Sequence, residues 1–154
     1  MTQEDKELLL KDLCARLPYG VIVDYKQNEF EIPHWKITVI YPETMNGWIG
    51  YNEKIGAGSK SGSRPFNIGE VKPYLRPMSS ITEEEEKELE KITPLFHFNR
   101  LENIIYVGAQ DDGFCYLTEM EKIITFLNAH HFDYRNLITK GLAIEATEEN
   151  SLYK

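Results

Sequence analysis

Histidine and carboxylate side chains that could bind a metal ion lie close together near the C-terminal end of the sequence. His130, His131 and Asp133 fall within four residues, and both side-chain types are ligands of zinc and other transition metals. Adjacent residues on a helix point about 100° apart, so the two histidines would need further ligands, for example His34 or His97. The competing interpretation is a helix C-terminus that favours cationic histidine, followed by Asp133 as the next cap.

Other patterns that could support catalysis or phosphate binding are incomplete. Asp111 and Asp112 could act as a carboxylate pair, but the Asp-Gly step at this point is typical of a hairpin turn. Residues 55–65 are rich in Gly and Ser, yet they lack the adjacent Gly-Lys of a phosphate loop and the third glycine of a dinucleotide fingerprint. We predict a mobile surface loop there and expect no cofactor.

Tyrosine and arginine side chains are better candidates for recognition, because they bring large area together with specific hydrogen bonding. Tyr74 and Arg76 lie in a proline-containing segment, and Tyr134 and Arg135 follow the histidines. In the alternative interpretation, Tyr74 is a core residue and Arg76 pairs with an acid of the following helix. The predicted binding residues, with no metal assigned, are Lys72, Tyr74, Arg76, His130, His131, Asp133, Tyr134 and Arg135.

Charge and composition limit the class of partner. The chain has 154 residues and a net charge of −8, and the whole acidic excess lies after residue 77. An acidic half repels phosphate backbones, so a protein is the expected partner and nucleic acid is not. No apolar run is long enough to span a membrane, and the polar N-terminus is not that of a signal peptide, so we expect a cytoplasmic protein. Cys14 and Cys115 fit reduced core thiols.

The first half of the chain predicts one helix followed by an antiparallel meander. Thr2 can cap a helix over 3–16, in which Leu10, Leu13, Cys14 and Leu17 form an apolar stripe. Strands are predicted at 21–25, 29–32, 35–41 and 48–51, with short turns between them.

The segment 72–82 predicts a crossover between this meander and an acidic second half. Two prolines favour an edge or crossing segment over a central strand. Thr82 and Glu85 then form a capping box that begins an acidic helix. The rest of the chain predicts a hairpin at 103–117 and a helix at 119–130 that begins at a second capping box of Thr118 and Glu121. A short helix capped by Asp133 and ended by Gly141 follows, and then a frayed tail at 145–154. We expect all these elements to form a single domain.

Three stretches resemble the signature stretches of a family of small uncharacterised proteins of gut bacteria and their phages or prophages. They run from Leu8 to Gly20, from Lys72 to Glu85 and from Leu127 to Ala143, and together cover a little over a quarter of the chain. The family carries no activity that would transfer functional residues. The resemblance implies a phage- or prophage-linked protein in the bacterial cytoplasm.

The sequence thus predicts an α+β fold, with a mostly antiparallel sheet and three to four helices packed mainly on one face. The expected function is a non-enzymatic protein-interaction module that uses the crossover and the acidic helix. A small metal-dependent hydrolase using the His130, His131 and Asp133 region is the alternative, and a homo-oligomer is left open.

Overall fold

The computed structural model describes residues 1–26, 34–55, 58–93, 96–99, 104–107 and 117–147. It has three α-helices in this part of the chain and a six-stranded, mostly antiparallel sheet, so the α+β prediction is confirmed. The predictions of a strand at 29–32, of the Asp111–Asp112 turn, of the strand at 114–116 and of a core thiol at Cys115 lie outside the described residues.

The helices and strands follow one another along the chain in this order. The elements are α1 (Gln3–Arg16), β1 (Ile22–Tyr25), β2 (Trp35–Tyr41), β3 (Asn46–Ile55), β4 (Gly58–Asn67), β5 (Val71–Leu75), α2 (Glu83–Ile92), β6 (Phe96–Asn99), β7 (Ile104–Val107), α3 (Leu117–Ala129) and β8 (Ile144–Glu145).

Helix α1 begins and ends as predicted, but a different face of it is buried. Thr2 and Asp5 form a capping box at its start. The fully buried positions are Leu9, Asp12, Leu13 and Arg16. In the predicted stripe only Leu13 is fully buried, while Leu10 and Leu17 pack partly buried against the main core and Cys14 is half-buried. The helix is rotated because Asp12 and Arg16 are buried as an ion pair, which a pattern of apolar residues does not reveal.

The large sheet has the strand order β4-β3-β2-β1-β5-β8, in which only the β5–β8 pair is parallel. Its inner face carries the main core, where Val23, Trp35, Ile49 and Phe66 pack with Leu13 of α1. Residues at the alternate positions point to the opposite side, which we call the outer face. On this outer face Lys36, Thr38, Val39, Tyr41 and Trp48 are exposed.

Residues 58–65 of the Gly/Ser-rich segment lie in strand β4, so the prediction of a mobile loop is wrong for them, while residues 56–57 lie outside the described residues. Strand β4 pairs with β3 residue by residue, from Gly58 opposite Ile55 to Asn67 opposite Asn46. The ladder forms through backbone groups, which Gly and Ser supply as well as any residue. Gly62 also leaves room for the ring of Tyr51, which would lie 2.7 Å from a Cβ at that position.

The crossover enters the sheet, so the prediction that Pro73 excludes a central strand is also wrong. Strand β5 lies between β1 and β8, and Pro73 pairs with Val23. The neighbour on its other side, β8, pairs only with Tyr74 and Leu75. Pro73 therefore needs no hydrogen bond toward β8, and the proline is compatible with an interior strand.

Helices α2 and α3 enclose a second, smaller core. Leu89 of α2 and Ile123 and Leu127 of α3 pack with Met78, Ile81 and Phe132. Thr82 and Glu85 form the predicted capping box at the start of α2. The second predicted box is wrong, because α3 begins at Leu117 and Thr118 lies inside it.

Strand β7 pairs with β6, in the register that places Phe96 opposite Val107. The return strand of the predicted hairpin at 114–116 lies outside the described residues, and Leu117 belongs to α3 and not to that strand. After α3, residues 133–141 form successive turns and not a short helix, although Asp133 caps them as predicted. None of the described helices is long and apolar enough to cross a membrane.

Candidate functional site

The crossover and the histidine region, predicted separately as candidate sites, are joined in the structure. The backbone N–H of Arg76 donates to the carbonyl of His131 at 2.8 Å, and the N–H of Asp133 donates to the carbonyl of Arg76 at 2.7 Å. These two bonds form an isolated parallel bridge between Arg76 and Phe132. The bridge holds the large sheet against the second core.

The Arg76 side chain is the centre of an ionic cluster at this junction. Its Nη1 and Nη2 atoms donate to the two carboxylate oxygens of Glu85 at 2.6 and 2.9 Å, and its guanidinium lies 4.2 Å from the ring centroid of Phe132. His130 Nδ1 lies 3.1 Å from the same Glu85 carboxylate. The interpretation that Arg76 pairs with an acid of the next helix therefore describes the structure better than a free recognition residue.

Glu85 is ionised over the whole neutral and mildly acidic range. Burial raises the pKa of its carboxyl, but hydrogen bonds from Arg76 and the Thr82 backbone, with the charge of Arg76, outweigh burial and hold the pKa at about 2. The carboxylate thus joins α2 to the crossover electrostatically.

Tyr134 and Arg135 contribute to a second ionic cluster, which is buried. Asp12 accepts hydrogen bonds from Arg16 Nε and Nη2 at 2.7 and 2.9 Å and from Arg135 Nη1 at 2.7 Å. Arg16 also donates to the carbonyl oxygen of Phe132 at 2.8 Å. The Tyr134 ring lies beneath both guanidinium groups, and its burial raises the pKa of its phenol. This cluster fastens α1 to the segment after α3.

The three potential metal ligands have separate surroundings. His131 is buried at a φ of 58°, and burial, with the nearby charge of Arg16, lowers the pKa of its ring to about 4. The Asp133 carboxylate accepts from the backbone N–H groups of Leu137 and Ile138 at 2.7 and 2.8 Å. Within the described residues no group of three or more His, Cys, Asp or Glu side chains is placed to hold a metal ion.

Lys72 and Tyr74 lie apart from both ionic clusters, on the outer face of the sheet. Both are half-buried, on the positions of β5 that alternate with its core residues. Lys72 pairs across the ladder with Asp24. The ring of Tyr74 makes an edge contact with His34 at 6.1 Å between centroids, and burial raises the pKa of its phenol. Of the sequence-predicted binding residues, these two lie on the outer face of the sheet.

A groove crosses the outer face next to Tyr74. Its volume is about 380 Å³, and it is lined by Ile22, His34, Trp35, Lys36, Thr38, Gly50 and Tyr51. The register places Ile22 beside Lys36 and Lys36 beside Gly50, and one further step of the β1–β5 ladder places Tyr74 beside Ile22. Gly50 forms part of the floor without filling it, so the groove can receive a side chain from outside.

A second exposed area lies further along the same face, and sequence reasoning missed it. Val39 pairs with Trp48 and Trp48 with Pro65, while in the next row Tyr41 pairs with Asn46 and Asn46 with Asn67. We call these six residues the hairpin patch. The side chains of Tyr41, Trp48 and Val39 are 47%, 40% and 38% exposed. The patch forms only because β4 pairs with β3, and the Gly/Ser composition of β4 did not predict this pairing.

Comparison with protein-family models found no family that matches this chain, and comparison with curated proteins and with solved structures found no matching protein.

Proposed function

We propose that this protein is a non-enzymatic interaction module that binds a partner protein on the outer face of its sheet. The observation that carries the proposal is the groove above Gly50, which lies on an exposed face beside Tyr74. A groove of about 380 Å³ has room for a large apolar side chain, and a few such anchors carry most of the binding energy in many interfaces. The resemblance of three stretches to proteins of gut bacteria and their phages supports a phage- or prophage-associated role in the bacterial cytoplasm.

Charge on both sides of the groove indicates the chemistry of the partner. Lys36 lines the groove, and Lys72 lies two residues from Tyr74 on the same face. Asp24 lies opposite Lys72 in the ladder and offsets its charge, so Lys36 is the cation nearest the groove. We therefore expect the partner to present a large apolar residue with Asp or Glu beside it, because complementary charge orients a partner and speeds its association.

The proposed contact differs from the one expected from the sequence, which used Arg76 and the acidic helix. Arg76 is committed to Glu85 and Phe132, so it contributes to the position of β5 and not to binding. Tyr74 and Lys72 remain in the proposed contact, joined by Lys36 and the groove. The exposed acids of α2 lie outside this contact and are not required by it.

A peptide selection tests the proposal and does not require the partner itself. A random-peptide library displayed on yeast is selected against the wild-type protein, and the enriched peptides are then tested on Gly50→Val and on Ser61→Val. A Cβ at Gly50 would meet Thr38 Cγ2 and the Gly62 carbonyl at 3.5 Å, which is ordinary contact, so Gly50→Val fills the groove without displacing the strands. Ser61→Val adds the same kind of side chain to exposed β4, outside the groove.

The proposal predicts enriched peptides that share an apolar residue next to Asp or Glu. They should bind the wild type and Ser61→Val, and lose binding to Gly50→Val. Peptides that bind Gly50→Val as well as the wild type would place the contact elsewhere. Failure to enrich any peptide that binds the folded wild type would count against a groove-based interaction module.

A further inference from the structure

The hairpin patch has a composition that differs from the rest of the outer face. One row contains only apolar side chains, those of Val39, Trp48 and Pro65, and the next contains Tyr41 and the two amides Asn46 and Asn67. None of the six carries a formal charge at neutral pH. Alternate residues of a strand lie about 7 Å apart, so the exposed Trp48 lies about that far along β3 from Asn46 and its cross-strand partner Asn67.

Fixed polar groups continue from the patch into a cavity. A cavity of about 500 Å³ is lined by Asn46, Trp48, Pro65 and Asn67 of the patch and by Tyr25, Gly47, Arg64, Phe66 and Glu70. The Glu70 carboxylate is fixed by the Asn67 backbone N–H at 2.8 Å and by Asn67 Nδ2 at 3.4 Å. The size is within the usual range for a small-molecule site. One cation and one anion among these residues leave the lining neutral as a whole.

These features together match a neutral, hydroxyl-rich ring. The electron-rich face of an indole attracts the C–H groups on the apolar face of a sugar, while amides both donate to and accept from hydroxyl groups. An anionic ligand would be repelled by the Glu70 carboxylate, and the guanidinium of Arg64 is the one cation among these residues that could offset the repulsion. A metal ion would find one carboxylate among neutral amides, too few charged ligands for a stable site.

We infer that the hairpin patch and the adjoining cavity bind a neutral saccharide, with the ring stacked on Trp48 and its hydroxyl groups hydrogen-bonded by Asn46 and Asn67. The saccharide site is separate from the proposed protein contact, because Trp48, Asn46 and Asn67 do not line the groove above Gly50.

Close packing at Gly47 of β3 fixes the spacing of the strands beneath this surface. A Cβ at Gly47, between Asn46 and Trp48, would lie 2.2 Å from the Val39 carbonyl oxygen and 2.8 Å from the Phe66 ring. Glycine therefore allows the close approach of β2 and β3 that sets Val39, Tyr41, Asn46 and Trp48 side by side. A preformed surface of this kind loses little conformational entropy when a ligand binds.

Titration by two-dimensional NMR is a direct test, because the protein has only two tryptophans and Trp35 is buried. Cellotriose and tri-N-acetylchitotriose are the neutral probes, trigalacturonic acid is the anionic probe, and adenosine tests for a stacked base. Each is added at millimolar concentration to the wild type, to Trp48→Thr and to Ile124→Ala. Ile124 is a matched control, since it is 39% exposed and lies on α3, away from the patch.

Binding of at least one neutral trisaccharide, with a shift of the Trp48 indole signal, is the expected result. Trp48→Thr should weaken that binding by about tenfold or more, the loss typical of one aromatic stacking contact, and Ile124→Ala should leave it within about twofold. Well-dispersed spectra of both variants show that they remain folded.

Four results would overturn the inference. They are the absence of a shift with both neutral sugars, tighter binding of trigalacturonic acid or adenosine than of either sugar, equal sugar binding by Trp48→Thr, and a dimer that buries the patch and dissociates in Trp48→Thr.

Discussion

Asp12→Asn should destabilise the protein more than any change to an exposed charge, because it removes the anion of a buried ionic cluster. Asp12 and Arg16 are both 0% exposed, and Asp12 accepts three hydrogen bonds from Arg16 and Arg135. The asparagine has the same shape but leaves the Arg16 charge buried without a counter-ion. Breaking a buried pair in this way costs roughly 3–5 kcal/mol, a large fraction of the 5–15 kcal/mol typical of a folded domain.

Urea denaturation followed by circular dichroism measures this loss. For a chain of this size each kcal/mol lowers the melting temperature by about 2–4 °C, so a fall of roughly 6–20 °C should accompany it. Arg135→Gln is the matched control, since Arg135 is 17% exposed and leaves the Arg16 pair with Asp12 intact; it should cost about 1–2 kcal/mol. A loss below about 1 kcal/mol in Asp12→Asn would refute the structural role that we assign to this cluster and would return Arg135 to the candidates for binding.

Two further predictions concern the junction and the sheet. Because the folded-state pKa of Glu85 is about 2, below its ordinary value of 4.5, its contribution is complete above pH 4.5 and disappears as the pH falls toward 2. Acid titration of the free energy of unfolding, measured in urea, should show a loss of ~2 kcal/mol, which is less than the full pKa difference implies because solvent screens this partly exposed pair. Glu85→Gln should remove that loss, and equal acid dependence in that variant would contradict the ion pair with Arg76. In strand β3, Gly47→Ala should lower stability by roughly 1–3 kcal/mol or more, because its Cβ meets backbone 2.2 Å away. Gly50→Ala, whose nearest contacts are at 3.5 Å, should be neutral or slightly stabilising, and similar thermal melts for the two variants would contradict the register of β2 and β3.

Local signals in the sequence were sufficient to predict most elements. The capping residues Thr2 and Thr82 locate the starts of α1 and α2, because a side-chain cap satisfies backbone groups within one turn. The alternation in Trp35–Tyr41 predicts β2 for a similar reason, since a strand with one buried face repeats every two residues.

Pairings between distant segments could not be predicted in the same way. The Gly/Ser composition of β4 carries no periodic signal, and its structure depends on β3. The buried face of α1 also depends on a partner 123 residues away, because Arg135 reaches Asp12 from the far end of the chain. An Asp and an Arg four residues apart on a helix are usually an exposed pair, so their burial required the tertiary structure.

The candidate site shows the same division. Residue types alone selected Tyr74 and Lys72, which lie on the outer face, together with Arg76, Tyr134 and Arg135, which have internal partners. Tyrosine and arginine are favoured both in interfaces and in internal ion pairs, and only the contacts distinguish the two uses. The groove at Gly50 could not be predicted, because it depends on the row of residues across four strands.

The most direct test of the proposed interaction is the affinity of one selected peptide for three proteins, measured by calorimetry. The account predicts that the wild type and Ser61→Val bind equally, and that Gly50→Val binds at least about 30-fold more weakly, the loss expected when an anchor residue of ~2 kcal/mol is excluded. Equal affinity for the wild type and a folded Gly50→Val would contradict the claim that a partner binds in the groove on the outer face.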